Sequence, residues 1–571
     1  MASAAAAGPT LLAYNLSPSP TFLNQALALA LWGWFVVFVL PPPRVPSRGA
    51  GPLLAAIGLL LLAVLGSWGP GSLPTGLALS ALGCLLAAAV LAASGAAVQG
   101  RPDAAVVFGD FCIGWAVAGA FSAAVACIQV FWPGLADGDW IAVSGLPGRA
   151  VGNLRQPNHL SSVLLWAAVA TVALVDLRRL RWGLALVLVA ALVFADVLSA
   201  SRTGTVGVIL LGLWGAFDRR LSRRARALLL AAPLLYVASW LAMDEWSHLT
   251  THIFGGTERL EQGDISSSRF AIWSNTLALI RQQPWLGVGF GEFNLAWTLT
   301  PFPHRPGAFF DNAHMLPLQL AVEIGVPLAL AVLALLGWGL WQGARRAFGP
   351  GAEAGDLGVA RRAAMMMVAL IAIHSLLEYP LWYLYFLLPT AWAWAFALGG
   401  GPAAGGASSP RPPSVLDRLR APALAVGGAA LAVSAVLSVY DYSTVAAIFS
   451  ADEGAPPLEA RIERGQHSLL FAHHGDYAAA TNEPATGGLR PFRRAVHYLL
   501  DARLMRAWAI TLAAAHHEDE ARWVAQRLRE FHNPGAEDFF APCKGPAPRK
   551  PLPFQCQAPE RAHDWREFVA N

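Results

Sequence analysis

Charged side chains are scarce in this sequence. Asp, Glu, Lys and Arg make up 13% of its 571 residues, whereas a soluble domain carries about 25%. The formal net charge of +4 is too small to argue for a nucleic-acid partner. The five cysteines include no CxxC spacing, so we expect no structural zinc site. These shortages argue against an ordinary soluble domain and give no support for nucleic-acid or metal binding.

The abundant residues are apolar. They make up 56% of the chain and are concentrated in long uncharged runs. A helix needs about 20 mostly apolar residues to cross a bilayer, and the chain offers roughly a dozen such stretches. We therefore predict an all-α, polytopic membrane protein with about 12 transmembrane helices. The predicted spans are 22–40, 52–68, 75–96, 105–132, 158–176, 183–199, 204–217, 227–243, 314–342, 363–379, 381–399 and 422–440.

Arginine clusters in four loops predict how these spans are oriented. Because cytoplasmic loops hold an excess of Lys and Arg, we place the four loops in the cytoplasm. Loops 133–157 and 244–313, and the tail after residue 440, then face the periplasm. We therefore expect a membrane core over 1–440 with a large periplasmic loop, followed by a periplasmic domain over 441–571. The clusters are Arg178 to Arg181, Arg219 to Arg226, Arg345 to Arg362, and Arg411 to Arg420.

The tail differs in composition from the core, because it is rich in Arg, Glu, His and Ala. Segments 457–481, 490–516 and 517–532 have the apolar spacing of amphipathic helices, so the tail is predicted to be a small helical domain. The Gly-, Pro- and Ser-rich stretch 399–414 is predicted to be a linker between two spans.

Two pairs of residues in the tail are candidates for a disulfide and for metal binding. Cys543 and Cys556 lie in a polar, Pro-rich segment, where a disulfide would fit an oxidising compartment. His473 and His474 are expected on a solvated helical surface, and metal binding there is the lesser alternative.

Polar groups retained near membrane depth require an explanation, because burying them there is costly. The segment GNLRQPNHL at 152–160 precedes a span and offers several donors, among them Arg155, Gln156 and Asn158. Its structural alternative is a capped helix start, with Asn158 as the N-cap. Arg202, in SASRTG at 199–204, lies in a connection too short to leave the membrane surface. A bound anion and simple snorkelling of the side chain are both open for Arg202.

Three further segments contain candidate residues. Arg269 follows three serines at a predicted helix start, where backbone N–H groups and a cation would suit a phosphate; an exposed solubilising role is the alternative. His314 stands at the mouth of a predicted span and is the residue type best suited to proton transfer near neutral pH, although interfacial packing is the commoner use. Glu323, in the same span, could orient the site or pair with an arginine. Glu378 and Tyr379 lie in a short break between two spans, and structural pairing is the default for Glu378.

Taken together, these segments resemble the bacterial protein O-oligosaccharyltransferases of the PglL type, within the superfamily of O-antigen ligases and polymerases. The matching stretches occur in the family's order over most of 150–390, and the last is the most specific. A helical tail after the last span is also similar to the protein-glycosylating branch. SPSPTF at 17–22 resembles a segment that follows a first span in relatives, so an initial span is expected to be missing here. The matching stretches are GNLRQPNHL, SASRTG, SRFAIW through PWLGVGFGEFN, NAHMLPLQLAVEIG and HSLLEYPLWYLYFLLP.

The resemblance implies an inner-membrane enzyme with its active site facing the periplasm. The donor would be an undecaprenyl-diphosphate-linked oligosaccharide, the acceptor a Ser or Thr hydroxyl of a periplasmic or pilin-like protein, and no metal or other cofactor would be required. It implies His314 as general base, although the family often has His-Asn where this chain has His314-Met315. Arg202 and Arg269, with Arg155 as a weaker third, would bind the diphosphate. The residues that would position substrate are Gln156, Asn158, Glu378 and Tyr379.

Three alternatives stay open at this point. An O-antigen ligase would use a lipid A core sugar as acceptor, and a polymerase would extend the glycan. A transporter for lipid-linked glycans would belong to a different class, with arginines along a route through the membrane. The candidate cation and base positions all fall on one predicted face, which favours an enzyme over a transporter.

Overall fold

The computed structural model describes residues 1–39, 49–250, 252–257, 265–399, 415–451, 454–482, 488–544 and 552–569; at 265–268 and 415–420 it describes the backbone alone. Apart from Gly399, the predicted linker 399–414 lies outside the described residues.

Helices make up the architecture throughout the described ranges. The first half contains α1 (Ala2–Leu11), α2 (Phe22–Phe38), α3 (Gly51–Trp68), α4 (Thr75–Gln99), α5 (Ala104–Phe131), α6 (Pro157–Asp176), α7 (Trp182–Ser199), α8 (Arg202–Phe217), α9 (Arg223–Leu249) and α10 (Ile265–Gln282). The second half contains α11 (Phe293–Leu299), α12 (Leu316–Ile324), α13 (Val326–Phe348), α14 (Gly355–His374), α15 (Leu384–Leu398) and α16 (Val415–Phe449). The tail adds α17 (Leu458–Gln466), α18 (Ala472–Thr481), α19 (Phe492–Ala495), α20 (Ala502–Ala514), α21 (Glu518–Glu530) and α22 (Glu537–Phe540).

Nine of these helices, counted over the described part of the chain, are long and apolar enough to cross a membrane: α3, α4, α5, α6, α7, α9, α13, α14 and α16. Three shorter apolar helices, α2, α8 and α15, lie at three further predicted spans. The predicted class, an all-α polytopic membrane protein, is confirmed. The tail segments predicted to be helical contain α17 to α21.

One predicted span has a different boundary. The run 314–342 was expected to be a single helix, but it divides at Gly325 into α12 and α13. Gly325 adopts φ +76°, a left-handed conformation that glycine accepts most easily. A Cβ at this position would lie 2.2 Å from the carbonyl oxygen of Trp285, so the close approach of that backbone also requires glycine.

The chain divides into two compact units. Unit 1 comprises 1–57, 84–263 and 334–437, and unit 2 comprises 58–83, 264–333 and 438–571. Division of the protein into a core over 1–440 and a domain over 441–571 stays a prediction.

Aromatic side chains form the centre of unit 1. Trp115 and Trp166 meet edge to face with their ring centroids 4.7 Å apart, and Phe111 lies 4.9 Å from Trp392. All four are fully buried. Aromatic pairs of this kind contribute beyond the area that they bury, and they join α5, α6 and α15 around one centre.

The core of unit 2 combines the 265–333 segment with the tail. Its buried residues include Ile272, Phe293 and Trp297 from the segment, and Trp508 and Phe531 from the tail. Because both parts contribute to one apolar core, the tail is packed as an integral part of unit 2.

Candidate active site

The start of α6 places three of the predicted site residues in unit 1. Gln156 is the N-cap: its side-chain oxygen accepts a hydrogen bond from the His159 N–H at 2.8 Å. Pro157 occupies the first turn, where a missing N–H costs nothing. The alternative that named Asn158 as the N-cap is therefore wrong, because the N-cap lies two residues earlier, at Gln156.

Asn158 instead joins two distant segments. Its Nδ2 donates to Glu378 Oε1 at 3.1 Å, and its Oδ1 accepts from Ser201 Oγ at 2.7 Å. Glu378 is buried, so its default reading as a structurally paired carboxyl agrees with this contact. One amide side chain thus holds together three of the segments that the sequence singled out.

Arg202 comes directly after Ser201 in the chain. Ser201 caps α8 by accepting from the Gly204 N–H at 3.1 Å, and Arg202 is the first residue of the helix. The Arg202 side chain is exposed. A helix N-terminus carries a partial positive charge, so an exposed arginine at this position adds a second attraction for an anion.

Arg155 is engaged differently. It adopts φ +57°, and its guanidinium donates to the backbone carbonyls of Asn153 at 3.4 Å and Gly138 at 3.3 Å, and also to that of Ala13. Partial burial lowers the pKa of Arg155. These carbonyls occupy donors that a phosphate would use, which agrees with Arg155 as the weakest of the three arginine candidates.

Tyr379 lies in the break between α14 and α15. The half-buried ring of Tyr379 stacks with that of Tyr383 at 6.1 Å between centroids. Tyr383 in turn meets the buried His159 ring at 4.5 Å. The sequence indicated Tyr379 as a candidate site residue, but it did not indicate that the rings of Tyr379, Tyr383 and His159 form a row.

Arg269 belongs to unit 2. The helix that carries it begins at Ile265, so Arg269 lies in the second turn and not in the first. Its partly exposed side chain is therefore displaced from the free backbone N–H groups of the first turn, which were expected to bind a phosphate together with Arg269. The role of Arg269 at a phosphate stays a prediction.

His314 occupies a strained turn in unit 2. It adopts φ +51°, which is uncommon for a residue with a side chain. Its backbone N–H donates to the side chain of Asn312 at 2.9 Å, and Trp273 Nε1 donates to the Ala313 carbonyl at 3.0 Å. The imidazole, half-buried, lies edge to face against the Phe310 ring at 5.5 Å.

A buried polar pair supports this turn from α12. Gln319 Oε1 accepts from the Ala313 N–H at 2.7 Å, and Gln319 Nε2 donates to Glu323 Oε1 at 2.9 Å. Burial raises the pKa of Glu323 to about 8. Of the two options open for Glu323, orienting the site through Gln319 agrees with these contacts.

The sequence contained a signal for this pair that we did not use. Gln319 and Glu323 are spaced i, i+4 on an apolar helix, which brings two side chains onto one face. The glycine-rich run 287–291 forms a turn in which the three glycines have positive φ. Val288 N–H donates to the Val322 carbonyl at 2.8 Å, so this turn fixes the end of α12.

Several other polar groups receive explanations from the structure. Asp110 pairs with Arg179 at 2.6 Å. His473 and His474 are buried, so their assignment to a solvated surface was wrong; α18 packs them against the Tyr498 ring. No three His, Cys, Asp or Glu side chains in the described ranges are grouped as metal ligands.

Comparisons with known proteins add three family matches. Residues 186–333 match the family described as O-antigen ligase. Residues 362–541 match the C-terminal part of a virulence factor membrane-bound polymerase, and residues 150–175 match the protein glycosylation ligase family. The three regions contain most of the candidate residues in both units.

Two curated relatives come from Acinetobacter baylyi. The chain is 28% identical over 282 residues to a "General O-oligosaccharyltransferase", a region that covers 46% of each protein. It is 27% identical over 257 residues to a "ComP-specific O-oligosaccharyltransferase", covering 43% of each. The matched region thus spans less than half the length of either relative. The resemblance of this chain to the bacterial O-oligosaccharyltransferases, within the O-antigen ligase superfamily, is confirmed.

Proposed function

We propose that this protein transfers an oligosaccharide from an undecaprenyl-diphosphate-linked donor to Ser or Thr hydroxyls of periplasmic or pilin-like proteins. The observation that carries this proposal most directly is the similarity to two proteins named as O-oligosaccharyltransferases. The match of residues 150–175 to the protein glycosylation ligase family supports it, because that segment contains Arg155, Gln156 and Asn158.

In this mechanism His314 is the general base. It takes the proton of the acceptor hydroxyl as the hydroxyl oxygen attacks the anomeric carbon of the donor sugar. The bond from that carbon to the diphosphate breaks, and the electron pair leaves with the diphosphate. The hydrogen bond from the Ala313 N–H to Gln319, which fixes the backbone turn at His314, favours this role, because a general base must be fixed in orientation to act.

The leaving diphosphate requires positive charge. Arg202, exposed at a helix N-terminus in unit 1, is the first candidate, and Arg269 in unit 2 is the second. Arg155 would act more weakly because carbonyls already engage it. Gln156, Asn158, Glu378 and Tyr379 would position the substrate, with Asn158 acting through Ser201 and Glu378.

We further propose an inner-membrane location with the active site facing the periplasm. The arginine clusters support this orientation. The disulfide between Cys543 and Cys556 supports an oxidising compartment for the tail.

The test is expression in a glycosylation-null bacterium that carries a defined lipid-linked glycan and a candidate pilin, followed by intact-mass analysis of the pilin. We expect a mass increase equal to the glycan. His314→Ala should reduce transfer by about 10²- to 10⁴-fold. His304→Ala is the matched control, because His304 is an exposed histidine of the same segment; it should retain transfer. Normal transfer by His314→Ala would exclude His314 as the base.

The same strain distinguishes the other candidate functions. The O-antigen ligase match over 186–333 favours a lipid A core acceptor as the second candidate, and glycan on lipopolysaccharide with an unmodified pilin would establish it. Longer glycan chains on the lipid carrier alone would indicate a polymerase. Transfer by purified protein, without a membrane gradient, would exclude a transporter.

A further inference from the structure

The segment 300–313 leads into His314, and one buried arginine in unit 2 organises it. The Arg305 side chain is 1% exposed and pairs through Nε with Glu530 Oε2 of α21 at 3.1 Å. Its Nη1 donates to the Trp297 carbonyl at 2.9 Å, and it also donates to the Thr300 carbonyl. Arg305 thus connects the segment to α11 at one end and to the tail at the other.

Aromatic rings surround this guanidinium. Its central carbon lies 4.9 Å from the ring centroid of Trp297 and 4.7 Å from that of Phe531. Phe309 stacks on Phe531 with centroids 4.0 Å apart. Cations over aromatic faces are attracted by the ring quadrupole, so the ion pair and the rings stabilise one arrangement.

This arrangement reaches His314 through two ring contacts. Trp297 packs against Phe310 with centroids 5.7 Å apart, and Phe310 supports the His314 imidazole edge to face at 5.5 Å. Phe310 is held further by a hydrogen bond from Asn294 Nδ2 to its carbonyl at 2.8 Å. A shift of Arg305 or Phe531 would therefore move the ring on which His314 rests.

We propose that Arg305 and Glu530 are positioning residues for His314, and that the C-terminal tail is in this way part of the catalytic apparatus. The inference rests on the proposed role of His314 as the base. The tail sets the orientation of the imidazole through Trp297 and Phe310, so it acts on the rate of transfer and not on binding of the donor.

The charge balance around Glu530 makes it the residue to change. Glu530 also pairs with Arg527 at 2.7 Å, so one carboxylate neutralises two buried arginines. Burial lowers the pKa of Arg305 to about 10, and the guanidinium therefore stays charged at neutral pH. Glu530→Gln leaves two cations facing each other without a counter-charge, and their repulsion should displace Arg305.

The experiment compares Glu530→Gln with Glu560→Gln in the full-length protein in nanodiscs. Glu560 is a tail carboxylate that pairs with Arg522 at 2.8 Å and is 77% exposed. Glu530→Gln should lower kcat for glycan transfer by roughly 10- to 100-fold while KM for the lipid-linked donor stays within about two-fold. Amide hydrogen exchange in 300–316 should accelerate, and Glu560→Gln should change neither quantity.

Wild-type kcat and wild-type exchange in Glu530→Gln would overturn the proposal, and so would a change in donor KM alone. Where Glu530→Gln does not fold, Phe309→Leu removes the stacking contact and keeps the ion pair; it should give the same loss of kcat. If His314→Ala retains activity, the base assignment fails, but the exchange measurement still decides whether Glu530 orders 300–316.

Discussion

The contact of Asn158 with Ser201 and Glu378 gives the most quantitative prediction. Asn158→Ala removes two hydrogen bonds that join α6, α8 and the 374–389 segment. A neutral hydrogen bond contributes about 0.5–1.5 kcal/mol, and one to a charged group about 1.5–3 kcal/mol. The expected loss is therefore about 2–4.5 kcal/mol in the free energy of unfolding.

Ser201→Ala tests one of the two hydrogen bonds of Asn158 separately from the other. It removes the bond to Asn158 and also the cap of α8 at Gly204, and the loss of such a cap costs about 1 kcal/mol. Because the Asn158–Ser201 bond is lost in either single variant, the double variant should be more stable than the sum predicts by about 1 kcal/mol. Glycan transfer should fall as well, because Ser201 caps the helix that begins at Arg202.

Denaturant titration in mixed micelles measures this cycle. The midpoints of the wild type, the two single variants and the double variant give the coupling free energy, provided that the slopes agree. Costs that add to within about 0.3 kcal/mol would show that the two side chains do not stabilise each other, and the reasoning about Asn158 would be refuted. Asn158→Asp should destabilise more than Asn158→Ala at neutral pH, because it places a second carboxylate beside Glu378.

Three further outcomes are expected. Gly325→Ala should cost at least about 2 kcal/mol through left-handed strain and a backbone clash, whereas Gly337→Ala, with no atom within 4 Å of the new Cβ, should be neutral or stabilising in the same titration. Cys543→Ser should lower the free energy of unfolding of unit 2 by about 3 kcal/mol, because it removes the disulfide with Cys556. Dithiothreitol should lower the free energy of unfolding of the wild type by the same amount and leave that of the variant unchanged. Burial lowers the pKa of His474 to about 4. As the pH falls from above 6.5 toward 4, the unfolded state therefore binds a proton that the folded state does not, and the free energy of unfolding decreases. The loss should be about 2 kcal/mol between pH 7.5 and 5. Replacing His473 and His474 by Gln should flatten this pH profile, and an unchanged slope would contradict the burial argument.

The sequence by itself determined the membrane class and the positions of most spans. Length and hydropathy are local properties, because each apolar run must be satisfied by lipid or protein along its own helix. The predicted spans 183–199 and 75–96 therefore lie close to the observed helices Trp182–Ser199 and Thr75–Gln99. The tail helices followed from apolar periodicity in the same way.

The sequence also identified the segments that contain the candidate residues, but not what those residues contact. A cap was the structural alternative for Asn158 because its neighbours resemble a helix start, whereas Gln156 occupies that position. Local pattern cannot distinguish two polar residues that are both able to cap, since the first residue of a helix depends on where its packing begins.

Only the tertiary structure decided which polar groups meet. Glu378 lies 220 residues from Asn158 in the chain, and Glu530 lies 225 residues from Arg305. Periodicity gives the face of each helix but not its neighbours, and a buried charge is stabilised only by a partner that packing brings within reach. The contacts of the tail with the segment that leads to His314 could therefore not be inferred from composition or spacing, because they arise from a core that both parts of the chain build together.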